Sequence, residues 1–234
     1  HAAVVIELDS DDEPAKRPRT GSSAPEPSPP PGATTAGGGF AGPLCLNRLL
    51  DPPPTGPWAG VELSLQDVFE VHPSLDRRPP REALLANFMV DLRWLLDECP
   101  SLVEVPTLTV LHGDDAKGCG GEAVAARRQR GLETRLHSPA LPMQWGTHHS
   151  KMALLLYDDC VRVCVKTCND LYSDAHCKSQ ALYVQDFPAG ESSELDAFGM
   201  DFARQLRRYL ERCGGFDGSK LDRYDFSSAA GALV

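Results

Sequence analysis

The chain has 234 residues, of which 33 are acidic and 23 are basic, so its formal net charge at pH 7 is −10. Hydrophobic residues make up 41% and charged residues 24% of the chain, a composition typical of globular proteins. No apolar run approaches the roughly 20 residues of a membrane span, and the first residues lack the layout of a secretory signal. We therefore expect no membrane contact. Any nucleic-acid contact should depend on a local groove rather than on a general positive field.

Residues 1–41 are predicted to form a disordered tail. Ser, Pro, Gly, Ala and Thr dominate from 20 to 39, and little in that segment can form a core. The tetrad at 16–19, Lys-Arg-Pro-Arg, is similar to a short nuclear localisation signal, although basic tetrads are frequent by chance. This segment favours a protein of the nucleus.

The tail also contains an apolar cluster, Val4–Leu8, which an acidic run at 9–13 follows. This pattern resembles a SUMO-interacting motif, a segment that adds a strand to the sheet edge of its partner while its acids face basic residues. A solvated acidic tail with a chance apolar cluster explains the same residues equally well. SUMO is therefore a candidate partner through Val4–Leu8.

Helix and strand signals alternate from residue 42 onward, where the predicted domain 42–234 begins. Ser64 is placed to cap a short helix, since its hydroxyl can accept from exposed amides of the first turn. Residues 86–90 and 107–111 are predicted strands, and 91–98 is a predicted helix. Arg127, Arg128 and Arg130 form a dense basic cluster, which suits either phosphate contacts or plain solvated surface.

Two apolar runs, 149–157 and 161–169, are predicted to be buried strands joined by a short turn. Because side chains alternate along a strand, His149 and Lys151 should emerge on the same side. Asn169, at the end of the second run, can then point its amide at a group that these two hold. An imidazole can attack phosphorus, while a lysine and an amide stabilise charge on the non-bridging oxygens. The pattern predicts an oxyanion or phosphate clamp.

The last part of the chain completes a mixed order of helices and strands. The longest helix candidate is 194–213, with apolar residues at helical spacing and two glycines as its stop, and 232–234 read as a strand that is cut short. We therefore predict an α/β fold in which a mixed β-sheet is flanked by helices. The cysteines are predicted to be free thiols, because no Cys-x-x-Cys occurs and no oxidising compartment is indicated.

The run Gly-Thr-His-His-Ser-Lys-Met at 146–152, with the hydrophobic strand after it, resembles the first signature of the tyrosyl-DNA phosphodiesterases, which belong to the phospholipase D superfamily. The family pattern is His-x-Lys, then an Asn eighteen residues past the Lys, then a Gln eleven further. In this chain the pattern falls on His149, Lys151, Asn169 and Gln180. The wider superfamily has an Asp five residues after the Lys, where this chain has Leu156.

The resemblance implies one half of a phospholipase D-like α/β/α fold, because the family has two similar halves that each contribute one His-x-Lys to a shared site. It runs, with gaps, from about Pro43 to the end and covers the N-terminal half with its preceding tail. The chain begins with His1 rather than Met, which also favours a fragment. The other half would supply the general acid histidine, a second lysine and a second amide donor, so this chain alone is expected to be incomplete as an enzyme.

The function that the resemblance implies is DNA repair by a phosphodiesterase that needs no metal or other cofactor. It would hydrolyse 3′-phosphotyrosyl and other 3′-adduct bonds at DNA ends, including those of peptides derived from topoisomerase I. His149 would be the nucleophile of a phosphohistidine intermediate, and Lys151, Asn169 and Gln180 would bind the phosphate. Trp145 occupies the place of a family aromatic residue that stacks on a DNA base.

Several alternatives remain at this stage. His176-Cys177-Lys178 is a second His-x-Lys that also precedes an apolar run, and spacing alone does not choose between the copies. Trp145 is about as readily explained as a half-buried core residue. A single-signature phospholipase D-like nuclease that works as a homodimer is one rival function. The other is a non-catalytic module that binds DNA ends or SUMO.

Overall fold

The computed structural model describes residues 4–6, 44–49, 62–70, 72, 78–113, 120–190 and 197–233. The basic tetrad at 16–19 and most of the predicted tail lie outside the described residues. In chain order, the elements are β1 Val4–Ile6, β2 Leu44–Asn47, β3 Glu62–Leu63, α1 Leu65–Glu70, β4 Glu82–Asn87, α2 Leu92–Glu98, α3 Ser101–Glu104, β5 Thr107–His112, α4 Gly121–Gln129, β6 Glu133–His137, β7 Met152–Leu156, β8 Cys160–Lys166, α5 Tyr172–Cys177, β9 Ala181–Pro188, α6 Ala197–Cys213 and β10 Gly231–Leu233, with a 3₁₀ helix at Gly218–Arg223.

Eight of the strands form one mixed sheet in the order β3-β2-β9-β8-β7-β4-β5-β6. Strands β4, β5 and β6 are parallel, whereas β2, β9, β8, β7 and β4 are antiparallel to their neighbours along that series. The prediction of a mixed β-sheet flanked by helices is confirmed.

Each face of this sheet packs against its own helices. On β4, Ala83 and Leu85 join the apolar cluster that contains residues of α1, α2 and α3, whereas Leu84 and Ala86 join the cluster that contains residues of α6. Successive side chains of a strand point to opposite faces, so a strand that is apolar throughout is buried on both. The result is a three-layer α/β/α arrangement around two cores.

Local sequence explains where several elements begin. The Ser64 hydroxyl accepts a hydrogen bond from the backbone N–H of Asp67 at 3.0 Å, and the Asp67 carboxylate accepts one from the N–H of Ser64 at 2.9 Å. Asp91 caps α2 by accepting from the N–H of Trp94 at 3.0 Å. The cap predicted at Ser64 and the helix predicted at 91–98 are therefore confirmed, while the predicted strand at 86–90 lies earlier, at Glu82–Asn87, because residues 88 and 89 form a bend.

A second, two-stranded sheet joins the two ends of the described chain. Val4–Ile6 pair in parallel with Gly231–Leu233, with Val4 opposite Gly231 and Ile6 opposite Leu233. The sequence predicted no regular structure before residue 42, and these three residues differ from that prediction because strand pairing supplies backbone partners that local sequence does not reveal. No helix among the described residues combines the length and apolar character that crossing a membrane requires.

Candidate active site at one end of the sheet

The start of β7, the end of β8 and the start of β9 meet at one end of the sheet, because these strands are antiparallel neighbours. Lys151 directly precedes β7, and its carbonyl oxygen accepts a hydrogen bond from the N–H of Lys166, the last residue of β8. Asn169 follows β8 by three residues, and Gln180 directly precedes β9. The fold therefore gathers the four predicted positions that the family pattern spaces along the chain at a single end.

His149 and Lys151 are in direct contact. The Lys151 Nζ lies 3.1 Å from Nδ1 and 3.4 Å from Nε2 of the His149 ring, and it donates to the carbonyl oxygen of His149 at 2.8 Å. Ser150, between them, is buried, whereas His149 is exposed and its ring packs against Phe88 with centroids 5.1 Å apart. The two side chains meet as predicted, although the strand predicted at 149–157 begins only at Met152, after this pair.

The surroundings of Lys151 lower the pKa of its ammonium group. Its side chain is largely buried, and burial lowers the pKa of the ammonium, with the positive charge of Lys166 on the adjacent strand as a further cause. Asp174 and Asp170 act in the opposite direction. Asp170 and Asp174 therefore offset the effects of burial and of Lys166 only in part. A phosphate that accepts hydrogen bonds from this ammonium would supply further negative charge beside it.

The backbone at His148 is fixed by close contact with Gly113, which follows β5. A Cβ atom on residue 113 would lie 2.3 Å from the carbonyl oxygen of His148 and 2.7 Å from the Phe88 ring. Only glycine fits such an approach without a shift of the backbone. Gly113 thus lets the end of β5 press against the segment that presents His149.

His148 faces the other side of the sheet from His149. Its Nε2 lies 2.8 Å from the hydroxyl of Tyr209 on α6, and its Nδ1 is buried without a hydrogen-bond partner among the described residues. Burial lowers the pKa of His148 to about 4, and nearby His112 and Lys151 add to the shift. His148 is therefore a neutral ring that ties the strand to α6, not a proton donor at neutral pH.

The carboxamide of Asn169 is held at both ends. Its Nδ2 donates to Oδ2 of Asp174 at 2.9 Å, and its Oδ1 accepts from the N–H of Met89 at 3.3 Å. The backbone N–H of Asn169 also donates to the same Asp174 oxygen, at 3.3 Å. One Nδ2 hydrogen is left for a substrate oxygen, which is what the predicted amide donor requires.

A buried ion pair lies beneath Asn169. Lys166 and Asp170 pair with no exposed side-chain surface on either partner, and the second Asp170 oxygen accepts from Nδ2 of Asn87 at 2.8 Å. The N–H of Asp170 donates to the carbonyl of Met89 at 3.2 Å. These contacts fasten the segment after β8 to the segment after β4.

Gln180 shares this end of the sheet but is engaged elsewhere. Its Oε1 accepts from the hydroxyl of Thr167 at 2.5 Å, and its N–H donates to Asn47 at 2.7 Å. The structure therefore brings Gln180 next to the end of β8, where its side-chain oxygen is bound by Thr167.

Trp145 lies at the surface, four residues before His149. It is 91% exposed, so the alternative of a half-buried core tryptophan is wrong. Its φ of 70° is rare for a bulky residue, and Met143 and Leu141 nearby are also exposed. An exposed indole four residues before an exposed histidine suits contact with a flat partner group.

The second His-x-Lys does not form a clamp. His176 lies on α5, where it is buried and contacts Glu98 with 3.2 Å between Nε2 and Oε1, while Lys178 binds Asp174. Residues two apart on a helix point to different sides, unlike residues two apart on a strand. Only the first copy places its imidazole and ammonium together.

Several residues of this end of the sheet were missed from sequence, namely Asn87, Phe88, Asp170, Asp174 and Tyr209. Asn87 and Asp170 are polar residues at the ends of apolar runs, and this position in the sequence is a signal that could have identified them. Asp174 and Tyr209 lie on helices with no such signal. Their roles depend on which helix packs against which strand.

One group among the described residues offers three possible metal ligands, His72, Asp159 and Cys160, with atoms within 4.8 Å of one another. Arg78 donates to Asp159 at 3.0 Å and lies 3.2 Å from Nδ1 of His72, so a fixed cation already balances the carboxylate. The group is at the start of β8, away from Asn169. The seven described cysteines are free, six of them buried.

The comparisons with known proteins point to one family. The family model for tyrosyl-DNA phosphodiesterase matches residues 60–234. Tyrosyl-DNA phosphodiesterase 1 of Arabidopsis thaliana is 36% identical over 164 residues, which are 70% of this chain and 25% of that protein. A probable tyrosyl-DNA phosphodiesterase of Schizosaccharomyces pombe is 35% identical over 101 residues, which are 42% of this chain and 18% of that protein.

A similar fold occurs in a solved structure. The crystal structure of the yeast tyrosyl-DNA phosphodiesterase aligns with a TM-score of 0.56 and 16% identity, and the alignment covers 80% of this chain and 42% of that one. At this identity the likeness concerns the fold alone. The chain spans a quarter or less of the length of the two curated relatives above.

Proposed function

The chain belongs to the tyrosyl-DNA phosphodiesterase family, and we propose that it is the nucleophile-bearing part of a DNA-repair phosphodiesterase. The observation that carries this proposal is the direct contact of His149 with Lys151 at the sheet end that Asn169 shares. An exposed imidazole beside an ammonium and an oriented amide is the set of groups that attack at phosphorus uses. Its substrate would be DNA that carries a 3′ protein or nucleoside adduct, such as a peptide left by topoisomerase I.

The proposed reaction has two steps. A nitrogen of His149 forms a bond to phosphorus while the bond from phosphorus to the tyrosine oxygen breaks, and that oxygen takes up a proton. Water then breaks the phosphorus–nitrogen bond, which leaves a 3′ phosphate and restores the histidine. Lys151 and Asn169 donate hydrogen bonds to the non-bridging oxygens, where negative charge gathers in both transition states.

We propose that the proton donor, a second lysine and a second amide come from the other half of the family fold. Positioned proton transfer typically contributes about 10² to 10⁴ in rate, so this chain alone should be a weak catalyst or none. The domain boundary at residue 42 and the division into halves belong to the same proposal.

We assign DNA contacts to Trp145 and Gln180. The indole of Trp145 is exposed and lies four residues from His149, so a base next to the scissile phosphate can stack on it. Stacking of this kind contributes roughly 1–3 kcal/mol per base. Gln180 would have to exchange its hydrogen bond with Thr167 for one with the phosphate group.

A covalent intermediate is the decisive test. The longest protein that contains this chain would be mixed with a radiolabelled oligonucleotide bearing a 3′-phosphotyrosine, quenched in alkali and resolved on a denaturing gel. A protein–DNA adduct that disappears in a His149→Ala variant supports the proposal. Turnover without any adduct would contradict it. Robust turnover by a stable dimer of the 234-residue chain would favour the single-signature nuclease.

We also propose that the chain is nuclear and that Val4–Leu8 binds SUMO by strand addition. Val4–Ile6 already pair with Gly231–Leu233, so binding would have to replace that pairing. Titration of labelled SUMO with the chain and with a Val5→Asp variant tests the motif, since an aspartate inside the apolar segment should remove binding. Equal affinity of the two would contradict it.

A further inference from the structure

Asp174, which is none of the predicted site residues, accepts hydrogen bonds from both the backbone amide and the side-chain amide of Asn169. Oδ2 of Asp174 accepts from Nδ2 of Asn169 at 2.9 Å and from its backbone N–H at 3.3 Å. The two residues are five apart in sequence, and Asp174 lies in the first turn of α5. Because one oxygen takes a backbone and a side-chain donor of the same residue, it fixes the side-chain torsion as well as the position of Asn169.

The other oxygen of Asp174 has its own partner. Oδ1 accepts from Nζ of Lys178 at 2.5 Å, and Asp174 is 7% exposed. Burial acts to raise the pKa of Asp174, but the hydrogen bonds from Lys178 and Asn169 outweigh it, and the net shift is downward. Asp174 is therefore a carboxylate at neutral pH, and both of its oxygens accept hydrogen bonds.

The far end of the Asn169 carboxamide is also fixed. Its Oδ1 accepts from the N–H of Met89, so the amide cannot flip without losing two hydrogen bonds. With one Nδ2 hydrogen on Asp174, the remaining hydrogen has a defined direction. Asp174 also favours the charged form of Lys151, the second proposed phosphate ligand, whose pKa burial lowers.

We propose that Asp174 is a positioning residue of the phosphate site, which orients the amide of Asn169. This inference rests on the proposed function and adds to it a residue that does not touch the substrate. A preorganised donor contributes more to a transition state than one that must be oriented during the reaction. A small error in its position can cost about 10²-fold in rate.

The test uses two substitutions and a control. Asp174→Asn has the same shape but loses the charge, and Asp174→Ala removes both acceptors. Asp186→Asn is the matched control, because Asp186 is a partly buried carboxylate bound by Nε and Nη2 of Arg162 at 2.7 and 2.9 Å, toward the other end of β8. The control should lose stability as well but should leave the phosphate site intact.

Two measurements separate positioning from general stability. In the 234-residue chain, the side-chain ¹⁵N–¹H signals of Asn169 should shift in both Asp174 variants and stay in place in Asp186→Asn. In the longest protein that contains the chain, kcat/KM for a 3′-phosphotyrosyl oligonucleotide should fall about 10- to 100-fold in Asp174→Asn. The alkaline limb of the pH profile of Asp174→Asn should also move to lower pH, because the variant lacks the carboxylate charge that favours the protonated form of Lys151.

The outcomes are distinguishable. An active parent protein with Asp174→Asn at parental kcat/KM and an unmoved alkaline limb would overturn the positioning role while the proposed function stands. A parent protein with no phosphodiesterase activity would overturn the proposed function and the positioning role with it. If Asp174→Ala does not fold, Asp174→Asn still decides the question, because its volume is unchanged.

Discussion

Lys151 donates a hydrogen bond to the carbonyl oxygen of His149 at 2.8 Å while the same Nζ lies 3.1 Å from Nδ1 of the His149 ring. One ammonium thus holds both the backbone and the ring of its neighbour. An arriving phosphate oxygen can take one of these hydrogen bonds and leave the other, so the lysine can bind substrate without releasing the histidine. The arrangement couples the phosphate ligand to the proposed nucleophile.

The two histidines of the two His-x-Lys copies should therefore behave differently. His149→Ala should reduce release of tyrosine from a DNA 3′ end by roughly 10³-fold or more, because it removes the proposed nucleophile. His176→Ala should leave most activity and cost stability instead, since Glu98 loses its partner. Single-turnover assays of the longest protein that contains the chain, with urea unfolding of both variants, measure the two effects. Equal activity loss in both variants would show that the first copy is not the nucleophile.

Gly113→Ala should destabilise the protein and disturb the site. The added Cβ would lie 2.3 Å from the carbonyl oxygen of His148, a distance that only a backbone shift relieves, and such overpacking costs about 1–3 kcal/mol. Gly121→Ala is the matched control, because nothing lies within 4 Å of its added Cβ and alanine suits the start of α4 better. Urea unfolding should show a loss for the first and no loss for the second. A parental midpoint for Gly113→Ala would refute the close contact.

Strand periodicity made the centre of the site predictable. The alternation of side chains is a property of any extended segment, so placing His149 and Lys151 on one side required only that residues 149–151 lead into a strand. The same rule does not extend to Asn169, whose amide is held by Asp174 on α5 and by the backbone of Met89. Those contacts depend on how a helix and a neighbouring strand pack, which a local pattern does not contain.

Charge patterns were a weaker guide. Arg127 belongs to the dense basic cluster, yet it is 1% exposed and donates to the carbonyl oxygens of Leu102, Val103 and Val105. A guanidinium that satisfies backbone acceptors at the end of α3 is structural, so both alternatives for the cluster, phosphate contacts and plain solvated surface, are wrong for Arg127. Sequence shows that a charge is present but does not show whether the fold turns it inward.

Removing one charge of the buried Lys166–Asp170 pair should lower the free energy of unfolding more than removing both charges. Lys166→Met alone should cost about 3–5 kcal/mol, because it leaves the Asp170 carboxylate buried without a cation. Lys166→Met with Asp170→Asn should recover much of that loss, since the asparagine is neutral and its oxygen can still accept from Nδ2 of Asn87. A double-mutant cycle by urea unfolding measures the coupling. Additive losses from the two changes would contradict the pairing.

Acid should weaken the fold through His148. Burial depresses the pKa of His148 to about 4 in the folded chain, against an ordinary histidine value of 6.5. Between these values the unfolded chain binds a proton at this ring and the folded chain does not, so stability falls as pH falls from 6.5 to 4 and is fully present above 6.5. The loss should amount to about 3 kcal/mol. His148→Gln, which keeps a polar group near Tyr209, should remove this part of the pH dependence, and urea unfolding at pH 7, 6 and 5 compares the two proteins. Parallel slopes in both would mean that His148 titrates normally in the folded chain and that its burial does not favour the neutral ring.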